Sequence, residues 1–117
     1  MLVGVTHADT AAEVAKVADK LWHLRLMPDD EGVMNRSVAD TTGELLVVSQ
    51  FTLYGNVEKD RRPSWIDAAR PEQAEPLVTE LVEALRGMGA SVATGVFGAD
   101  MAVHLVNDGP ATLMVEV

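Results

Sequence analysis

The chain has no cysteine, which removes disulfides, thiol nucleophiles and thiolate metal sites at once. Aromatic residues make up only 4%, so any stacking surface must be built from a handful of rings. Basic residues are scarce too: nine Lys and Arg stand against eighteen Asp and Glu, a formal net charge of −9. A protein that grips nucleic acid through many phosphates needs the opposite balance, but one that handles only an exposed 3′ end does not. No apolar run approaches the roughly 18 residues of a membrane span. The N-terminus shows no basic stretch followed by an apolar one, so no export signal is read. His7, His23 and His104 share no metal-ligand or acid–base spacing and read as surface or packing residues. No metal site and no cofactor is expected, and a cytoplasmic setting fits the missing cysteines.

What is present is a 117-residue chain, 48% apolar, enough for one domain over 1–117 with a single small core. Leu2-Val3-Gly4-Val5 reads as the tail of a buried strand. Thr10 and Glu13 are spaced as a capping box, and Val14, Val17, Ala18, Leu21 and Leu24 recur at helical spacing, predicting a helix over 11–25. Pro28 to Gly32 reads as a turn, and residues 33–44 are polar and ambiguous. Leu45 to Leu53 is the clearest strand, and Arg61 to Trp65 reads as a loop leading into a short helical piece. Pro71 opens a second amphipathic helix that ends at Gly87 or Gly89, with Pro76 implying a kink or a later start. Ser91–Thr94, Ala102–Val106 and Ala111–Val117 read as three further strands. Strands and helices do not alternate strictly, so the class is α+β. The six methionines look like core filler.

Two short runs break local rules, as functional sites tend to do. Ser49-Gln50-Phe51-Thr52 puts polar residues at the end of the most β-prone stretch. Hydrolysing an acyl ester needs a polarised carbonyl, and N–H groups fixed at a strand end stabilise a developing oxyanion without reorganising. Gln50 can donate and accept, and the N–H groups of Phe51 and Thr52 are oxyanion-hole candidates. Thr52 has no identifiable partner base, so it reads as shaping the site and not as a nucleophile. The second run, Asn107-Asp108-Gly109-Pro110-Ala111-Thr112, sets a Gly-Pro between two apolar stretches. Glycine there lets a backbone or a substrate approach closely. Lys59, Arg61 and Arg62 fall within four positions, either as a solvated loop or as an RNA contact.

With these two runs in this order, the chain resembles the D-aminoacyl-tRNA deacylases, which hydrolyse the ester between a D-amino acid or glycine and the 3′ end of a tRNA. Ser49-Gln50, Leu53 and Tyr54 match the first family signature. Arg62-Pro63-Ser64 and Gly95 to Met101 look like its intermediate stretches. The resemblance runs from Leu2 to Val117. It implies a mainly antiparallel, barrel-like β core with two amphipathic helices packed on it, in a homodimer. It implies Ser49, Gln50, Phe51 and Thr52 at the catalytic centre, and assistance from the tRNA's own terminal 2′-hydroxyl. Gly109 and Pro110, joined by a cis peptide, are then contributed across the dimer interface, where they hold the α-amino group and exclude L side chains. Asn107 and Thr112 support that loop, Phe97 and Met101 pack near it, and glycyl-tRNA is a second substrate. A non-catalytic nucleic-acid-binding protein of the same fold is the alternative, and an inert fragment is a third.

The chain also departs from that family, whose members carry a few tens of additional N-terminal residues. A strand tail at residue 2 with nothing to pair with invites wrong pairing. The expectation is that Met1 occupies an internal position of a longer protein.

Overall fold

A computed structural model describes residues 1–59, 61–109 and 111–117. The order is β1 (Leu2–Val3), α1 (Ala11–His23), β2 (Met27–Pro28), β3 (Met34–Arg36), β4 (Leu45–Ser49), a 3₁₀ turn (Phe51–Tyr54), α2 (Pro71–Gly87) and β5 (Val92–Thr94). The α+β class holds, with both helices where periodicity put them. The capping box forms as expected: Glu13 Oε2 accepts from the Thr10 N–H at 2.9 Å, and Thr10 Oγ1 accepts from Ala12 N–H at 3.2 Å. α2 starts at Pro71, the first helical position, which needs no N–H partner. It runs through Pro76 to Gly87 without a break.

The antiparallel expectation fails for the main sheet. β4 lies between β1 and β5 and pairs with both in parallel, Val3 opposite Ser49 and Val47 opposite Thr94. Helical crossovers impose this, because a strand re-entering after a helix arrives in the same direction. Only β2 and β3 pair antiparallel among the described strands. α1 and α2 pack on each other and on one face of β4, burying Val14, Ala18, Val47, Leu81, Val82 and Leu85. Side-chain alternation along β4 aims Leu45, Val47 and Ser49 toward α2 and leaves Leu46 half-exposed on the far face.

Four other expectations are corrected. The strand begun at Leu45 stops at Ser49: Gln50 N–H donates to the Val3 carbonyl at 2.7 Å, and β1 offers nothing further to continue the ladder. The chain then coils into the 3₁₀ turn. No helix follows Trp65. Residues 65–68 make a single turn, closed by Ala68 N–H donating to the Trp65 carbonyl at 3.1 Å. That turn is tied to the chain after β1, which prevents a helix from continuing: Thr6 Oγ1 donates to the Asp67 carbonyl (2.6 Å), His7 Nε2 to the Ile66 carbonyl (2.7 Å) and Ala69 N–H to the Val5 carbonyl (2.8 Å). Ala102–Val106 and Ala111–Val117 form no strand among the described residues, since alternation without a neighbouring strand gives no ladder. They expose Val103, Leu105, Val106, Leu113 and Met114. No methionine is among the buried core residues, and Met34, Met88 and Met114 are exposed.

Candidate active site

In a parallel sheet the carboxyl ends of all strands lie at one edge, where ligands of open α/β sheets bind. Here that edge gathers Gly4 after β1, the Gln50–Tyr54 turn after β4 and Gly95–Met101 after β5. Sequence reasoning foresaw the second and third segments but not the first. Gly4 is the seat of the turn: a Cβ on it would stand 3.1 Å from Tyr54 Cδ2 and 3.2 Å from Leu53 Cβ. Met101 packs against Gly95 in the same manner, where a Cβ would lie 2.7 Å from its Sδ. Phe97 packs on the small buried cluster of Val5, Ala69 and Ala74. Gln73, on the first turn of α2, fastens the β1–α1 connection by donating from Nε2 to the His7 and Asp9 carbonyls at 3.0 and 3.3 Å.

The turn itself holds the polar cluster. Gln50 carbonyl accepts from Leu53 N–H at 3.2 Å, and Gln50 Nε2 donates to Thr52 Oγ1. The first N–H groups of such a turn have no partner within it. Among the described residues, neither the Phe51 nor the Thr52 N–H donates to a backbone carbonyl outside the turn. Ser49 opens on the other side, into a cleft of about 270 Å³. Val47, Val78, Val82 and Phe97 line its apolar part, with Glu75, Thr79, Glu83, Arg86 and Thr94 around them. Ser49 thus lines the cleft, and the polar cluster sits on the turn that follows it. Tyr54, half-buried against Gly4, has its hydroxyl pKa raised by burial and further by the charges of Asp9 and Glu116. It stays a neutral donor through the physiological range.

Phe51 and Trp65 meet edge to face, centroids 5.4 Å apart at 73°. Asn56 and Ser64 exchange two backbone hydrogen bonds of 2.8 Å, closing a hairpin whose tip carries Lys59, Arg61 and Arg62, all exposed. The third expected group lies on the exposed C-terminal segment. Asn107 Nδ2 donates to Thr112 Oγ1 at 3.4 Å across the exposed C-terminal segment, and Gly109 has φ = 145°. Among the described residues the hydrogen bonds of this segment are internal to it. Pro110 lies outside the described residues, and with it the expected cis peptide and cross-interface contact. No group of three or more His, Asp or Glu able to hold a metal ion occurs among the described residues. Nor is any described helix long and apolar enough to cross a membrane.

Residues 1–116 match the family model described as D-Tyr-tRNA(Tyr) deacylase. A "D-aminoacyl-tRNA deacylase" of Mycolicibacterium smegmatis is 57% identical over 116 residues, 99% of this chain and 78% of that relative. Among solved structures, that of a "c-Myc DNA Unwinding Element Binding Protein" is 38% identical with a TM-score of 0.85, covering 94% of this chain and 75% of the other. A second, that of "a probable eukaryotic D-amino acid tRNA deacylase", is 14% identical with a TM-score of 0.69 over 85% of this chain and 74% of its own. It shows a shared fold.

Proposed function

We propose, from the premise that the chain belongs to the D-Tyr-tRNA(Tyr) deacylase family, that it hydrolyses the ester of D-aminoacyl-tRNA. The observation that carries the reading is the placement of Ser49 to Thr52. Their turn follows β4 at the carboxyl edge of the parallel sheet, where Ser49 lines a cleft.

In the reaction a water oxygen adds to the carbonyl carbon, giving up the proton that the leaving 3′-oxygen later takes, and the ester carbonyl oxygen takes charge. The Phe51 and Thr52 N–H groups meet that charge from fixed positions. Gln50, tethered to Thr52, orients the acyl group. Collapse breaks the bond to the tRNA 3′-oxygen, which leaves with a proton, and a free amino acid and tRNA result. The terminal 2′-hydroxyl of the tRNA assists the addition, so no side-chain base is required of the protein.

Choice of substrate is steric. Gly109 and Pro110, contributed by a second copy in a homodimer, hold the α-amino group and leave no volume for an L side chain, while Asn107 and Thr112 brace their loop. Phe97 and Met101 support the acyl side of the site. Glycyl-tRNA has no side chain to exclude and is also cleaved. Lys59, Arg61 and Arg62 take the phosphates, and the enzyme acts in the cytoplasm as a proofreading step.

The test is a time course on matched D-Tyr-tRNA and L-Tyr-tRNA. Cleavage of the D-ester alone supports both the reaction and the filter; equal cleavage removes the filter. A second reading, nucleic-acid binding without catalysis, is favoured by the 38% identity to a protein named for binding DNA and opposed by the charge of −9. It predicts salt-sensitive binding with no ester cleavage at all.

A further inference from the structure

Residues 3 to 7 touch the turn after β4 at one end and the chain before α2 at the other. The Val3 carbonyl accepts from Gln50 N–H at 2.7 Å, and Gly4 packs against Leu53 and Tyr54. Val5, Thr6 and His7 then bind Ala69, Asp67 and Ile66 in descending order, through hydrogen bonds of 2.8, 2.6 and 2.7 Å. The next residue down, Trp65, returns to the same turn. Its ring meets Phe51 edge to face at 5.4 Å and lies on Gly55, where a Cβ would stand 2.5 Å from Cζ3. The contacts therefore close a circuit that begins and ends on residues 50–55.

His7 is the link beside Trp65. A carbonyl only accepts, so the bond to Ile66 puts a proton on Nε2 of the ring. Ile66 has little else to hold it. Its side chain is 76% exposed, and among the described residues no other hydrogen bond reaches its backbone. His7 is itself held from behind, because Gln73 on the first turn of α2 donates to its carbonyl at 3.0 Å. The helix thus reaches the turn through Gln73, His7, Ile66 and Trp65. Gly4 bears on the far end of the turn, at Leu53 and Tyr54, whereas Trp65 bears on Phe51, where the first oxyanion donor stands.

We propose that His7 is a positioning residue for ester cleavage: by fixing the Ile66 carbonyl it seats the Trp65 ring against Phe51 and Gly55, and so sets where the N–H donors of the turn stand. The assignment rests on the deacylase reading for the reaction it serves. His7 acts on groups that meet transition-state charge, so its loss falls on kcat and leaves KM unchanged.

At about 100-fold per ångström, a shift of a few tenths should slow kcat for D-Tyr-tRNA about three- to fivefold in His7→Ala. Gln carries its amide nitrogen about as far from the backbone as His carries Nε2, so His7→Gln should restore the rate. Trp65→Leu should lose a similar factor, and the double variant with His7→Ala should be no slower than the slower single, since both cut one circuit. The chain has two tryptophans, so Trp22→Phe leaves Trp65 as the only indole. In that protein His7→Ala should red-shift the emission and increase its quenching by acrylamide, and His7→Gln should reverse both. If His7→Ala fails to fold, His7→Phe removes the donor, keeps a ring and carries the same expectations. A native kcat in the donorless variant, with or without a lowered Tm, overturns the proposal. So does a loss confined to KM, or losses that multiply in the double variant. A native chain that cleaves no D-ester sinks the deacylase reading instead. An emission change reversed in His7→Gln then leaves the link from His7 to Trp65 standing, and its absence sinks the link as well.

Discussion

Replacing Gly4 with alanine tests whether the catalytic turn is held in place from below. The new methyl would meet Tyr54 Cδ2 at 3.1 Å, Tyr54 Cε2 at 3.2 Å and Leu53 Cβ at 3.2 Å. None of these is the loose end of a flexible chain, for the Tyr54 ring and Leu53 Cβ are carried by the turn itself. Relief requires the turn to rise by a few tenths of an ångström. Overpacking of this kind costs about 1–2 kcal/mol, and for a chain of this length that lowers Tm by roughly 3–8 °C. Because Gln50 to Thr52 ride on the same turn, the oxyanion donors move with it. A 1 Å misplacement costs about 100-fold, so a third of that should slow D-Tyr-tRNA hydrolysis about five- to tenfold. Single-turnover rates and thermal melts measure both effects. Gly87→Ala is the control: nothing lies within 4 Å of its Cβ position at the end of α2, so it should stabilise by about 0.5–1 kcal/mol at an unchanged rate. A lowered Tm with a wild-type rate in Gly4→Ala would mean that the position of the turn does not set the chemistry. No change in either would refute the packing argument outright.

Gln50→Ala should reduce turnover more than tRNA affinity, measured by single-turnover rate against filter binding; an unchanged rate removes Gln50 from the site. Gly109→Ala forces a side chain into the left-handed region at φ = 145° on an exposed segment, so D-Tyr-tRNA cleavage should fall while Tm stays nearly constant. Thr10→Ala deletes the capping box and should cost about 1 kcal/mol in chemical denaturation. The pH dependence follows from Glu13, Asp29 and Asp40. Hydrogen bonds from Thr10, from the Val33 and Glu31 N–H groups, and from Ser37 hold these carboxyls below their ordinary pKa values. Depressed carboxylates stabilise the fold fully above their unfolded values and stop doing so as pH falls through the folded ones. Stability should therefore be flat above about pH 5 and decline below about pH 4, which a urea midpoint series would show.

Local signals carried the helices and little of the sheet. α1 was legible because the box formed by Thr10 and Glu13 and the Val14-to-Leu21 spacing act within one turn or two. α2 was legible from Pro71, and Pro76 proved compatible with an unbroken helix. Strand direction was not legible, since whether β4 meets β1 parallel or antiparallel depends on where two helices return the chain. The alternation of 102–117 matched strands that find no ladder here, because alternation describes a face and not a neighbour. At the site, the polar break after Val48 and the Gly95–Met101 stretch were both visible. Their common edge was not, and neither was the role of Gly4, which acts on the distant Tyr54. Trp65 likewise gave no local sign that it would lie against Phe51; only the missing Cβ of Gly55 marked the contact. Phe97 packs on the buried cluster that includes Ala69 and also lines the cleft with Ser49, a double placement no local signal gave.

The parallel sheet carries a cost in time. β1 finds its partner only when β4 has been made, 45 residues farther along the chain. At ribosomal speeds of about 5–20 residues per second that is a wait of roughly 2–9 s. Through it Val3 and Val5 stay uncovered while α1, whose contacts are local, is already able to form. While that wait lasts, α1 stands formed beside a strand whose ladder to β4 is still open, and the time β4 takes to arrive sets how long that edge can pair wrongly.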